Sequence, residues 1–238
     1  MTSMVGMAMR SGLVSEAEVL CDPVLMDLGV EHGFGCRGSG VPEATRFPRQ
    51  VHGTAVWCVE PIEAGPLPPV EADAIVAGES GIPVGIVTAD CVPLLASAAK
   101  GSAVAAIHAG WRGLAAGVIE RGLAKLQQTA PGSPIHLAIG PGARGCCYEV
   151  DEPVCRALGA RYRAQLARDD VLRPARRAGR HLLDLSGLAE RIVTDLGIPG
   201  ARLGVAHRVC TICDPLRFES FRRDGAGAGR LRHFIRSV

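Results

Sequence analysis

The chain has 238 residues, 47% of them hydrophobic but only 4% aromatic, with 30 glycines. That length can bury a substantial core, in one large domain or two small ones. A net charge of +2 gives no electrostatic reason to expect nucleic acid or an acidic surface as partner, and no apolar run reaches membrane-spanning length.

Residues 1–27 carry no clear periodicity and are expected to be a poorly specified N-terminal segment. The first thirteen hold one Arg and neither the apolar stretch nor the cleavage-like site of a signal peptide. From Gly29 onward, strand-like and helix-like stretches alternate. Val84 to Thr88 is a short apolar run behind Gly81 and Pro83, which predicts a buried strand. Val92 to Ala96 and Ala103 to Ile107 read the same way, joined by a hairpin-type turn over Ala99 to Ser102. After Gly113 the apolar residues Leu114, Val118, Leu123 and Leu126 recur at helical spacing until Pro131-Gly132. Ile135 to Ile139 predicts a strand, Asp151-Glu152-Pro153 a helix start, Leu185 to Leu196 a helix ended by Gly197, and Arg202 to Ala206 a late strand. Arg173 to Arg180 is the most linker-like stretch, and its arginines are expected on a solvated face or loop. Three strands gather before the first good helix, so a mixed sheet is favoured over a parallel one. The expectation is a single α/β domain over 28–238, a layered sandwich with a mixed central sheet.

Three segments carry the chemistry: Gln50-Val51-His52-Gly53, Thr88-Ala89-Asp90-Cys91-Val92-Pro93 and Ile107-His108-Ala109-Gly110-Trp111-Arg112-Gly113. They offer two imidazoles and a thiol where predicted strands end, and strand ends of α/β sheets are where sites are built. Two His and one Cys suit a catalytic metal with a fourth position open. The same residue types also make a Cys–His nucleophile pair. For a metal, zinc is preferred over copper. A blue-copper centre wants an axial Met, whereas four of the five methionines lie at or before Met9 and the fifth is Met26. The seven histidines form no His-x-His pair.

The nine cysteines, an odd number without small-scaffold spacing, predict free thiols in a reducing cytoplasm. Cys210-Thr211-Ile212-Cys213 is a lone Cys-x-x-Cys, for which packing is favoured over a second metal or redox site, and Cys146-Cys147 reads as packing rather than a disulfide. Anion-binding candidates are Trp111-Arg112-Gly113, read as immediately preceding a helix, the Gly140 to Gly145 turn, and Phe221 to Gly225 with its arginines. Each taken alone reads as a surface turn.

Taken together, the segments are more specific. With Ile139-Gly140-Pro141, Cys146-Cys147-Tyr148-Glu149-Val150, Cys210-Thr211 and Phe218 to Gly225, they stand in the order seen in the laccase-domain family, and the chain resembles that family from Gly29 to its C-terminus. Bacterial members were long labelled multicopper polyphenol oxidases and are now regarded as purine nucleoside phosphorylases. The resemblance implies an α/β sandwich related to a cysteine-hydrolase-like architecture. It also implies zinc on His52, Cys91 and His108, and phosphorolysis of adenosine, inosine, guanosine and methylthioadenosine to base and ribose 1-phosphate. Adenosine deamination is attributed to the family as well. Members usually carry a longer stretch, with an Asn-Leu-Gly element, between the early turn, here Cys36 to Gly40, and the Gln-Val-His motif, so a reduced substrate-pocket wall is expected.

On this reading Cys91, His108 and Arg112 carry catalysis, Arg112 facing phosphate or developing charge. Arg37, Asp90 and Arg223 are candidates for substrate or phosphate binding, and Asp90 could instead orient a ligand from behind. The expected partners are a nucleoside and phosphate, with neither nucleic acid nor membrane, and a homodimer is left open. The alternatives are a copper polyphenol oxidase, a Cys–His hydrolase acting on peptidoglycan precursors, and a non-catalytic metal-stabilised binding protein.

Overall fold

A computed structural model describes residues 18–59, 70–205 and 207–238. The strands in chain order are β1 (His32–Gly33), β2 (Val56–Val59), β3 (Ala74–Ala77), β4 (Pro83–Thr88), β5 (Val92–Ala98), β6 (Ala103–Ala109), β7 (Ile135–Ile139), β8 (Glu149–Asp151), β9 (Leu172–Pro174), β10 (Arg180–Leu183), β11 (Arg202–Gly204) and β12 (Leu231–Arg236). The helices are α1 (Pro23–Met26), α2 (Trp111–Ala116), α3 (Val118–Thr129), α4 (Glu152–Leu166), α5 (Leu185–Asp195) and α6 (Phe221–Asp224). None is long and apolar enough to cross a membrane.

A six-stranded sheet, in the order β11-β7-β5-β6-β3-β2, forms the centre. It is mixed: β11–β7 and β2–β3 are parallel, while the pairs of β5 with β6, β6 with β3 and β5 with β7 are antiparallel. Its central strands are covered on both faces, which is why they read as unbroken apolar runs rather than alternating ones. Along β6, Ala105, Ile107 and Ala109 pack with α3, α4 and α5 on one side, while Val104 and Ala106 pack on the other against a second sheet, β1-β12-β4. His108 shares the parity of Val104 and Ala106, since successive side chains of a strand alternate faces.

Small residues set the spacing. A methyl group added at Gly122 of α3 would lie 2.6 Å from Ile107 Cδ1, so the glycine lets this helix sit directly on β6. At Gly117 the chain turns left-handed, φ 88°, a conformation that costs other residues roughly 1–2 kcal/mol. It ends α2 after six residues and breaks the expected single helix in two.

Several expectations need correcting. Residues 18–27 are structured: Asp22 caps α1 through its side chain, and Leu25 is fully buried. The rest of the expected N-terminal segment, 1–17, lies outside the described residues. The stretch from Arg173 to Arg180 is no linker but a β9–β10 hairpin that, with β8, makes a third sheet. Trp111-Arg112-Gly113 does not precede a helix; it is the first turn of α2.

Candidate metal centre

His52, Cys91 and His108 converge from three chain segments, each offering one ligand atom, all within 4.8 Å of one another. Cys91 Sγ is 3.9 Å from His52 Nε2, and the two imidazoles meet edge-on with centroids 4.9 Å apart.

The local reasons are specific. Gln50 binds the free edge of β4 like a strand residue: its amide donates to the Val87 carbonyl and accepts from the Val87 N–H, both at 2.7 Å. His52 then takes a left-handed φ of 60°, and the turn is held by the buried carboxylate of Asp73. That carboxylate accepts from the backbone N–H groups of Val51 (3.2 Å), His52 (2.9 Å) and Gly53 (2.6 Å). Asp73 also takes a hydrogen bond from His108 Nδ1 at 2.8 Å. That bond fixes the tautomer and frees His108 Nε2 to act as a ligand, the carboxylate–histidine arrangement common behind metal-bound imidazoles. Gly110 completes the cradle, because a Cβ there would stand 2.9 Å from His52 Cδ2 and 3.0 Å from Cys91 Sγ.

Electrostatics follow from these contacts. Burial raises the Asp73 carboxyl, but His108 and the Gly53 N–H more than offset it and hold it below its usual range. Burial would also raise the Cys91 thiol, yet hydrogen bonds from His108 and His52 override this and bring it down to about 7. His108 would be lowered by burial, but Asp73 and Cys91 raise it to about 9. The group is therefore built for a thiolate facing positive charge, whether a proton or a cation. Two imidazoles and one low-lying thiolate, with one histidine locked from behind, form a donor set that suits zinc with its fourth position open.

The remaining predicted residues separate. Asp90 is buried and left-handed at φ 89°. Its two oxygens accept from three protein donors: Thr211 Oγ1 donates to it at 2.7 Å, Ser220 Oγ at 3.0 Å and the Arg222 N–H at 2.7 Å. It anchors the 211–222 segment beside Cys91, with three of its acceptor sites engaged by protein donors. Arg223 spends all five donors on protein acceptors, namely Asp224 and the carbonyls of Thr211, Ile212 and Phe218, so its expected phosphate role does not fit. Arg37 pairs with Glu219 at 2.9 Å and reaches the Phe218 carbonyl, keeping a half-exposed side chain. Arg112 is exposed, with its guanidinium 4.4 Å over the Trp111 ring, and no hydrogen bond or ion pair engages it among the described residues.

Sequence reasoning missed Asp73, whose only signal is an acidic residue at the mouth of the apolar run Ala74-Ile75-Val76-Ala77. Arg222, one of the arginines of the Phe221 to Gly225 candidate, lies over the buried Tyr148 ring at 4.5 Å. Sequence reasoning also set aside Cys146, Cys147, Cys210 and Cys213 as packing, whereas the structure gathers their four sulfurs within 4.8 Å.

Comparison with known proteins follows the same lines. The sequence family described as "Multi-copper polyphenol oxidoreductase laccase" matches residues 35–237. A protein of Xylella fastidiosa named purine nucleoside phosphorylase is 37% identical over 187 residues, covering 78% of this chain and 69% of its own. One from an unknown prokaryotic organism, named adenosine deaminase, is 31% identical over 194 residues, 77% of this chain and 71% of its own. Among solved structures, YlmD from Geobacillus stearothermophilus superposes with a TM-score of 0.67 at 28% identity, covering 82% of this chain and 74% of that one. A Neisseria meningitidis protein gives 0.66 at 30% identity, with coverages of 80% and 74%. On the extent of the family match and these relatives, the chain belongs to the multi-copper polyphenol oxidoreductase laccase family, whose curated relatives include proteins named purine nucleoside phosphorylase.

Proposed function

We propose that the chain binds zinc through His52, Cys91 and His108 and catalyses phosphorolysis of purine nucleosides to free base and ribose 1-phosphate. The observation that carries this reading is the convergence of the three donor atoms, with His108 oriented by Asp73; the relatives' names supply the substrate class. Zinc bound there would supply a Lewis acid with one position open to water or a substrate oxygen.

The chain's own residues do the rest. Asp73 keeps the proton on His108 Nδ1 and so presents Nε2 to the site. Cys91 contributes a thiolate near neutral pH. Arg112, two residues past the Gly110 cradle, offers uncommitted donors to phosphate, and the charge that phosphate carries would strengthen those hydrogen bonds. Arg37 is the second candidate for that anion. Tyr148 is buried under Arg222; burial raises its phenol above the usual range, against the Arg222 charge and with a smaller contribution from the Cys91 thiolate.

A second reading has one specific observation behind it. The lowered thiol of Cys91 and raised imidazole of His108 are what a Cys–His nucleophile pair would show. Zinc analysis separates the two: stoichiometric zinc on His52, Cys91 and His108 ties up the thiolate, whereas copper in its place would favour the oxidase reading. The functional test is incubation with adenosine, with and without phosphate. Adenine that forms only with phosphate is the expected result. Inosine would replace phosphorolysis by deamination, and no turnover by zinc-loaded, folded protein would sink both.

A further inference from the structure

Away from the His–Cys–His group, two turns face one another. One carries Cys146 and Cys147, just before β8; the other is Cys210-Thr211-Ile212-Cys213. They are joined by a parallel bridge between Gly142 and Cys210, with the Thr211 N–H donating to the Gly142 carbonyl at 3.2 Å. Their four sulfurs are mutually close: Cys146–Cys147 3.7 Å, Cys146–Cys213 3.4 Å, Cys147–Cys210 3.5 Å and Cys147–Cys213 3.2 Å, with every pair inside 4.8 Å.

These separations decide between chemistries. A disulfide needs sulfurs about 2.05 Å apart, and all four cysteines are free. Four thiolates arranged tetrahedrally around zinc, each about 2.3 Å from the ion, stand about 3.8 Å from one another. The observed spacings lie close to that value. We propose that Cys146, Cys147, Cys210 and Cys213 form a closed four-thiolate site for a second zinc ion, which clamps the two turns together. Binding replaces four S–H protons, released to solvent, by four S–Zn bonds, and no oxidant or reductant takes part. Cys146 and Cys213 are exposed and Cys210 is buried, so the ion would enter from the surface. The adjacent cavity of about 430 Å³ is lined by Arg144, Arg173 and Arg208 together with Asp169, Asp170 and Asp184, and Arg144 is paired with Asp184 at 2.8 Å.

The clamp has a mechanical consequence. Thr211, between the two cysteines of the second turn, donates to Asp90, and Asp90 is the left-handed residue directly before Cys91. The thiolate site would therefore brace the turn that holds Cys91 in place. It belongs to no reading of the reaction, so its test does not depend on the nucleoside assay.

The test is zinc content per full-length chain, purified under reducing conditions and dialysed. Wild type should hold two equivalents. Cys91→Ser/His108→Ala should keep one, with Cys146, Cys147, Cys210 and Cys213 protected from alkylation until a chelator is added. Cys213→Ser should also keep one, with the four-thiolate charge-transfer signature lost from its cobalt-substituted form. Should Cys213→Ser fail to fold, the alkylation pattern of the first variant decides alone. Equal labelling of the four cysteines before and after chelation would overturn the proposal, as would a disulfide among them or bound iron and sulfide.

Discussion

At the scale of single residues, the ligands and the group behind them differ in how well they can be read. His52, Cys91 and His108 stand out because each sits in a run of unusual neighbours, Gly, Pro and Trp, at a strand end. Asp73 does not, because an acidic residue before an apolar strand looks like any surface carboxylate until the fold buries it. Yet it carries four hydrogen bonds, three to the His52 turn and one to His108. Asp73→Asn replaces one acceptor oxygen by an NH2 that must face a backbone N–H or His108 Nδ1–H. Residues that orient metal ligands typically cost 10–100-fold in metal affinity when changed, and an unsatisfied buried donor costs about 1–3 kcal/mol. The expected outcome is zinc affinity down about 10–100-fold with the chain still folded, measured by competition with a chromogenic chelator. Unchanged zinc affinity would remove Asp73 from the site's support.

At the scale of elements, the doubly covered strands were the most legible, since burial on both faces leaves a continuous apolar run such as Ala103 to Ile107. Short elements were not. The β9–β10 hairpin is arginine-rich and half-exposed, so neither alternation nor apolarity marks it. The join between β6 and α2 shows why such details matter to the site. Strand β6 delivers His108, the chain turns at Gly110, and α2 begins at once with Trp111 and Arg112. Gly110 has an ordinary extended backbone, φ −75° and ψ 162°, so alanine would fit the backbone but not the space, with its methyl 2.9–3.0 Å from His52 and Cys91. Contacts that short force side chains off their rotamers at about 1–3 kcal/mol. On the proposed function, Gly110→Ala should lose zinc affinity and phosphorolysis together by at least about tenfold, while its circular dichroism stays that of wild type. A variant with full turnover would show that the cradle is looser than the geometry indicates.

At the scale of the whole molecule, the second sheet makes the fold sensitive to acid in a way the metal centre alone does not. His233 of β12 is fully buried against the central sheet. Its Nδ1 accepts the Gly35 N–H at 3.1 Å, so Nε2 carries the proton toward Thr88 Oγ1 at 2.8 Å. A second proton has to displace the Gly35 contact in a site where, among the described residues, no carboxylate faces the ring. Burial, with the nearby His108 charge, accordingly lowers His233 to about 3. In the unfolded chain it returns to about 6.5. Between those values the unfolded state binds the extra proton, so the stabilisation is fully present above pH ~6.5 and is lost as pH falls toward ~3. The slope is about 1.4 kcal/mol per pH unit. His32 of β1, buried with Nδ1 on the Val30 carbonyl and Nε2 accepting the Asp22 N–H, is lowered as well, first by burial, and steepens the same limb. Urea unfolding of wild type and His233→Gln, compared at about pH 7.5 and about pH 5, isolates the His233 share, because metal-linked protons affect both chains alike. The variant should be the less stable of the two at the higher pH. The gap should narrow by about 2 kcal/mol at the lower. A gap that does not change with pH would mean that His233 titrates in the folded chain much as it does in the open one, and that the packing between the two sheets admits a charge the geometry says it excludes.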